Sequence, residues 1–131
     1  RYAKPFSVIM ADVDRFKSVN DIFGHQMGDG VLTEIAAMLS KGARETDVVG
    51  RWGGEEFLLL CPETSLGVGT ALAERLRQNF AEHVFPEVGQ ITVSFGVTCY
   101  QTDDTAQGLV LRADEALYRA KEAGRNRVET A

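Results

Sequence analysis

Two cysteines in 131 residues, Cys61 and Cys99, are too few for a disulfide framework, and both lie at or in apolar strand-like runs. Buried thiols fit them better than a disulfide or a metal pair, which points to a reducing compartment. No apolar run approaches the roughly 20 residues that span a bilayer, and the N-terminus carries no signal-peptide pattern. The expected setting is cytoplasmic, without direct membrane contact by this domain, whatever anchor a parent protein carries. Basic residues are in deficit, 14 Lys and Arg against 19 Asp and Glu, for a formal charge of −5. That excludes a broad DNA- or RNA-binding surface but not one nucleotide held through metal and a few cations. Proline is scarce as well, and Pro5, Pro62 and Pro86 all fall near element boundaries. Repeats, low-complexity stretches and linkers are absent, so residues 1–131 read as a single domain large enough to bury a core.

Periodicity supplies the architecture. A strand from about Phe6 to Ala11 leads into a helical stretch from about Arg15, broken at Gly24 and resuming near Asp29, where Val31, Leu32, Ile35, Ala36 and Leu39 recur at helical spacing until Gly42. A hairpin follows. Thr64 or Ser65 caps a second long helix with Leu72, Leu76 and Phe80 as its stripe. Ile91 to Tyr100 reads as a strand, and a last helix from about Thr105 to Ala123 carries Leu109, Ala113, Ala116, Leu117 and Ala120 before Gly124. The order βαββαβ plus a closing helix predicts an α+β, ferredoxin-like sheet with helices on one face.

Within that frame, Arg51 to Phe57 place Gly53 and Gly54 beside the adjacent acids Glu55 and Glu56, between the apolar runs Val48–Val49 and Phe57–Leu60. Glycine pairs suit two-residue hairpin turns because they reach positive φ freely. Adjacent like charges beside such a turn need a further explanation, and a cation supplies one. More acids stand upstream, where the run Phe6–Met10 ends in Asp12 and Asp14, which share a face by the period-two rule. Either could approach Glu55 or Glu56 if the strands share a sheet. Three or four clustered carboxylates, with no His or Cys nearby in sequence, indicate Mg²⁺ or Mn²⁺ rather than zinc. Such ions bind through few carboxylates plus substrate phosphates, which leads to a nucleoside triphosphate.

These residues resemble the GGDEF domain, the catalytic domain of bacterial diguanylate cyclases. The hairpin looks like its GG(D/E)EF signature, and Asp12, Val13, Asp14, Arg15, Phe16 and Lys17 look like its D-x-D-x-F-K segment. Asn20, Asp21, Phe23, Gly24, His25, Gly28 and Asp29 continue the likeness, and Arg112 to Asn126 match its closing helix and turn. The resemblance implies a fold like the palm of polymerases and nucleotidyl cyclases. It also implies the joining of two GTP molecules into cyclic di-GMP, with loss of two pyrophosphates.

Carried over residue by residue, the resemblance gives Asp12, the Val13 carbonyl and Glu55 as metal ligands, and Glu55 as an acceptor of the hydroxyl proton. Glu56 is either a second metal contact, and so part of the catalytic group, or a structural acid; Asp14 reads as structural. Lys17, Lys121 and Arg125 are implied as cations for the triphosphate, Lys17 counting among the catalytic residues. Asn20 and Asp29 are implied guanine readers, since a carboxylate accepts from guanine N1–H and N2–H₂ together; Asp29 alternatively caps the helix that begins there. Gly24, Gly28, Gly53 and Gly54 would let backbone and ligand approach each other, and His25 reads as a hydrogen-bonded loop residue at the base pocket rather than a catalyst.

Arg44-x-x-Asp47 stands at the position of the family's product-inhibition site, where Arg grips the O6/N7 edge of guanine, with Arg75 as an accessory contact. One departure is plain: the resemblance places a helix and a D-x-L-T-x-L-x-N-R turn ahead of residue 1, and this chain lacks both. The reaction needs two half-sites, each presenting one GTP, so activity implies a homodimer. The alternative is a GTP- or cyclic di-GMP-binding regulatory module without turnover.

Overall fold

The computed structural model describes residues 4–131. Its strand β1 (Phe6–Val13) is buried along nearly its whole length. A run so apolar that both faces of the strand are dry belongs at the centre of a sheet covered on two sides. After Asp14 the chain turns through Arg15, in the left-handed region at φ 55°, into the short helix α1 (Phe16–Phe23), which buries Phe16 and Val19. Gly24, at φ 90°, reverses the chain into α2 (His25–Gly42), whose Val31, Leu32, Ile35 and Leu39 form the buried stripe. Strands β2 (Val48–Arg51) and β3 (Glu56–Pro62) make the hairpin. Ser65, not Thr64, caps α3 (Leu66–Glu82) by accepting from the Val68 N–H. Strand β4 (Val93–Cys99) precedes α4 (Ala106–Glu122), capped by Thr105, and a short strand β5 (Val128–Thr130) closes the chain.

The sheet order is β2-β3-β1-β4-β5, antiparallel except for the parallel β4–β5 pair. The first four strands carry the ferredoxin-like order expected of βαββαβ; β5 was not predicted. One expectation fails: the helices do not share a face. Helices α1, α2 and α3 cover the side of Ile9, Ala11, Phe57, Leu59 and Phe95, whereas α4 packs on Val8 and Met10 opposite. Gly96 is what lets α4 lie there, since a Cβ on it would sit 2.3 Å from the Ala113 carbonyl oxygen and 2.4 Å from the Leu117 nitrogen. On the α4 side β2 and β3 are thinly covered, with Val48 58% exposed and Leu58 and Leu60 half-buried. Among the described residues no helix is long and apolar enough to cross a membrane. Both cysteines are free thiols; Cys61 is buried and Cys99 half-buried.

Candidate active site

Strand β1 carries Asp12 to one end of the sheet, where it stands opposite Glu56 of β3 and Ser94 of β4. Asp12 is 4% exposed, and Lys121 from the last turn of α4 donates its Nζ to Oδ2 at 2.5 Å. Burial raises the Asp12 carboxyl above the ordinary carboxylate range despite the opposing pull of Lys121. Glu55 is raised by burial and then by the negative charge of Asp12. Glu56 is raised by burial, then by Asp12 and by Asp114 of α4. Three acids are thus held under-compensated by one ammonium.

A cavity of about 190 Å³ gathers Asp12, Val13, Glu55, Lys17, Lys121 and Arg125, with Asp14, Arg15 and Phe16 completing its wall. Glu56 is not among them. As the neighbour of Glu55 it turns to the other side of the hairpin and lines a larger cavity of about 450 Å³ with Trp52, Val110, Leu111 and Asp114. Asp14 is also taken: its carboxylate accepts from Thr92, Ser94 and the Asn126 N–H. Of the expected cluster, Asp12 and Glu55 share the smaller cavity, while Glu56 stays the cross-strand neighbour of Asp12 and is coupled to its charge. Among the described residues no three His, Cys, Asp or Glu side chains converge on one point. Two carboxylates and a main-chain oxygen at Val13, still acidic after Lys121 is counted, fit a divalent cation that completes its shell with water and phosphate oxygens.

The hairpin tip departs from expectation in a second way. It spans Trp52 to Glu55, and neither Gly53 nor Gly54 lies at left-handed φ. Arg51 shapes it instead: its Nε donates to the Gly54 carbonyl at 3.0 Å and to that of Gly53 at 3.3 Å. The Trp52 and Gly53 N–H groups both donate to the Glu56 carbonyl. A Cβ on Gly53 would crowd Glu56 Oε1 at 3.2 Å, whereas Gly54 faces open space. At Gly54 the tip is bare, as close approach of a ligand requires, while Glu56 stands beside Gly53.

The base-side residues are rearranged by an early helix start. Helix α2 begins at His25, so His25 is its first residue rather than a loop residue, and Asp29 is interior rather than an N-cap. The cap position belongs to Gly24, which offers no side chain. Asp29 is exposed, and its carbonyl accepts from Thr33 Oγ1 at 3.0 Å. Asn20 lies across Gly28: a Cβ there would sit 1.9 Å from Asn20 Oδ1. Lys17 donates to Asp21 at 3.0 Å from a largely exposed side chain.

On the far side, Arg44 and Asp47 form a tight turn in which Asp47 Oδ2 accepts from the Arg44 N–H at 2.8 Å. The Arg44 guanidinium donates to the Pro62 carbonyl at 3.1 Å and to Thr64 Oγ1, and lies 3.6 Å from Asp47 Oδ1. That oxygen is buried and has no hydrogen-bond partner. Beneath it, burial and the charge of Asp47 push the Cys61 thiol up to about 12. Arg44, Thr64 and Arg75 border a cavity of about 150 Å³, and Arg75 donates to the Gly42 carbonyl at 2.8 Å.

Residues 1–127 match the family model for "Diguanylate cyclase, GGDEF domain". The chain belongs to the GGDEF family. It is 45% identical over 126 residues to diguanylate cyclase DgcM of Escherichia coli K12, covering 96% of this chain and 31% of DgcM. The chain thus spans about a third of that relative's length. The solved active GGEEF domain of a diguanylate cyclase from Vibrio cholerae superposes with a TM-score of 0.92 at 40% identity, covering 97% of this chain and 83% of that one. The GGDEF domain of DgcB from Caulobacter crescentus, solved with its coiled coil and in complex with c-di-GMP, gives a TM-score of 0.92 at 30% identity, covering 98% and 70%.

Proposed function

We propose that this GGDEF domain is a diguanylate cyclase that joins two GTP molecules into cyclic di-GMP. The observation that carries the reading is the single cavity in which Asp12, Val13 and Glu55 meet Lys17, Lys121 and Arg125. Acids for a cation and cations for a triphosphate stand side by side there. Mg²⁺ or Mn²⁺, held by Asp12, Glu55 and the Val13 carbonyl, would neutralise the triphosphate and acidify the attacking hydroxyl. Lys17, Lys121 and Arg125 bind the phosphates and offset the charge that builds as pyrophosphate departs. In each half-reaction a GTP 3′-oxygen forms a bond to the α-phosphorus of the other GTP. The bond from that phosphorus to the β-phosphate bridging oxygen breaks, and the hydroxyl proton is released. Glu55 would accept it.

Asn20 and Asp29 would read guanine, and the hairpin tip of Gly53 and Gly54, bare at Gly54, would receive the nucleotide. Because each domain presents one GTP, two copies must meet face to face. Arg44 and Arg75, which border the cavity of about 150 Å³, would hold product, with Asp47 reaching its guanine N–H donors once the turn opens, which makes cyclic di-GMP an inhibitor as well as a product.

The test is incubation of the full-length protein with GTP and Mg²⁺, followed by chromatography of the products. Cyclic di-GMP should form in the parent and fall by about 10²- to 10⁴-fold in Glu55→Ala, the range spanned by loss of a proton-transfer group. GTP bound and unchanged by the parent would replace the cyclase with a regulatory binding module.

A further inference from the structure

Asp14 is 7% exposed and lies two residues beyond Asp12, yet every bond its carboxylate makes is to protein. Oδ1 accepts from Ser94 Oγ at 2.7 Å; Oδ2 accepts from Thr92 Oγ1 at 2.7 Å and from the backbone N–H of Asn126 at 3.0 Å. Ser94 Oγ lies 3.0 Å from the same N–H. Asn126 follows Arg125, and the two have φ of 48° and 63°. Successive non-glycine residues in the left-handed region are disfavoured and persist only where the surroundings hold them. The turn is held on both residues, and the Asn126 N–H is shared between Asp14 Oδ2 and Ser94 Oγ. The Arg125 N–H donates to the Ala120 carbonyl at 2.9 Å, Arg77 Nη1 donates to Asn126 Oδ1 at 3.0 Å, and Asp14 anchors the Asn126 N–H from β1. The side chain so aimed is that of Arg125, which enters the cavity of Asp12, Glu55 and Lys121.

We infer that Asp14 is the positioning residue for Arg125: from the strand that presents Asp12, it pins the left-handed turn after α4 so that the guanidinium faces the substrate phosphates. This rests on the phosphate role proposed above for Arg125. Asp14 borders the same cavity, but both of its carboxylate oxygens are committed to Thr92, Ser94 and the Asn126 N–H. What the turn requires of it is an acceptor oxygen at one place, not a negative charge. Asparagine retains that oxygen; alanine does not.

The experiment compares GTP kinetics of the full-length protein with those of Asp14→Ala, Asp14→Asn, Arg125→Ala and the double variant Asp14→Ala/Arg125→Ala. Asp14→Ala and Arg125→Ala should each raise KM by about tenfold, the weight of one charge-assisted bond, and the double variant should be no worse than Arg125→Ala. Asp14→Asn should recover most of the loss. Ser94→Ala, a small change that keeps the fold even if Asp14→Ala does not, should raise KM in the parent and leave it unmoved in the Arg125→Ala background. Two results would overturn the assignment: Asp14→Asn losing kcat as completely as Asp12→Asn, which would make Asp14 a metal ligand, or multiplicative losses in the double variant. If the parent binds GTP without turnover, the cyclase reading falls, and the same comparison made on GTP affinity by calorimetry still decides the role of Asp14.

Discussion

The two charged sites of this domain are built on opposite electrostatic terms. Around Asp12, burial and mutual repulsion raise three carboxyls, and one lysine offsets them only in part. At the Arg44–Asp47 turn the guanidinium is satisfied by Pro62, Thr64 and Asp47, and one carboxylate oxygen is already capped by the Arg44 N–H. The first arrangement costs stability that a bound cation would return; in the second the Arg44 guanidinium contributes stability without any ligand, against the cost of the buried Asp47 Oδ1, which has no hydrogen-bond partner among the described residues. Charge removal should therefore act with opposite signs at the two ends.

The largest effect is expected at Arg44. Arg44→Ala removes the cation facing a shielded carboxylate and the donor to two loop oxygens, so unfolding by denaturant should show a loss of about 1–3 kcal/mol. The same variant should relieve inhibition by cyclic di-GMP, read as a rise in the concentration that halves turnover. Unaltered stability would dissolve the contrast, and unaltered inhibition would remove the product site.

Gly28 tests the acid-bearing side with a neutral change. An alanine there collides with Asn20 Oδ1, the flexible end of a side chain that can rotate away, while a helix-interior glycine is replaced by a better helix former worth up to about 1 kcal/mol. Gly28→Ala should keep the thermal midpoint and raise KM for GTP several-fold by displacing Asn20. A lowered midpoint with GTP binding intact would mean that the Phe16 contact at 3.1 Å dominates and that Asn20 is no reader.

How far the sequence led follows from what each residue depends on. Elements with local signatures were legible: the Val31–Leu39 stripe, the last helix from about Thr105 and the strand of Phe6 that runs into Asp12 are all present. Which face a helix covers is a tertiary choice, and the stripe of α4 carries no such information. The signals that did exist lay elsewhere, in the fully apolar β1, which needs cover on both sides, and in Gly96. Strand β5, three residues long, is defined by its partner β4 rather than by composition. That Asp12 and Glu55 lie together at one end of the sheet was reachable from motif and alternation. The work of Asp14 was not, because its donors lie about eighty and more residues away, at 92, 94 and 126. Asp29 is not the N-cap because the helix already starts after Gly24.

The smallest expected effect is the most direct test of sign. Glu56 has a folded pKa above its ordinary value, chiefly through burial and the charges of Asp12 and Asp114. A carboxyl raised in this way binds its proton more tightly folded than unfolded, so its contribution to stability falls as pH rises through the window between the ordinary and the raised value. At neutral pH the full penalty of the charge is present; well below the ordinary carboxylate range both states are protonated and the penalty is gone. Glu56→Gln should therefore raise the thermal midpoint at pH 7 by a small amount, and that gain should vanish as the pH is lowered below the ordinary glutamate value. Because Glu56 is only partly buried, water screens much of the repulsion and the shift stays modest. A gain that persists unchanged into acid would trace to packing against Trp52 and Leu111 instead of charge. A loss at neutral pH would place Glu56 in a compensated ion pair and erase the difference between the two sites.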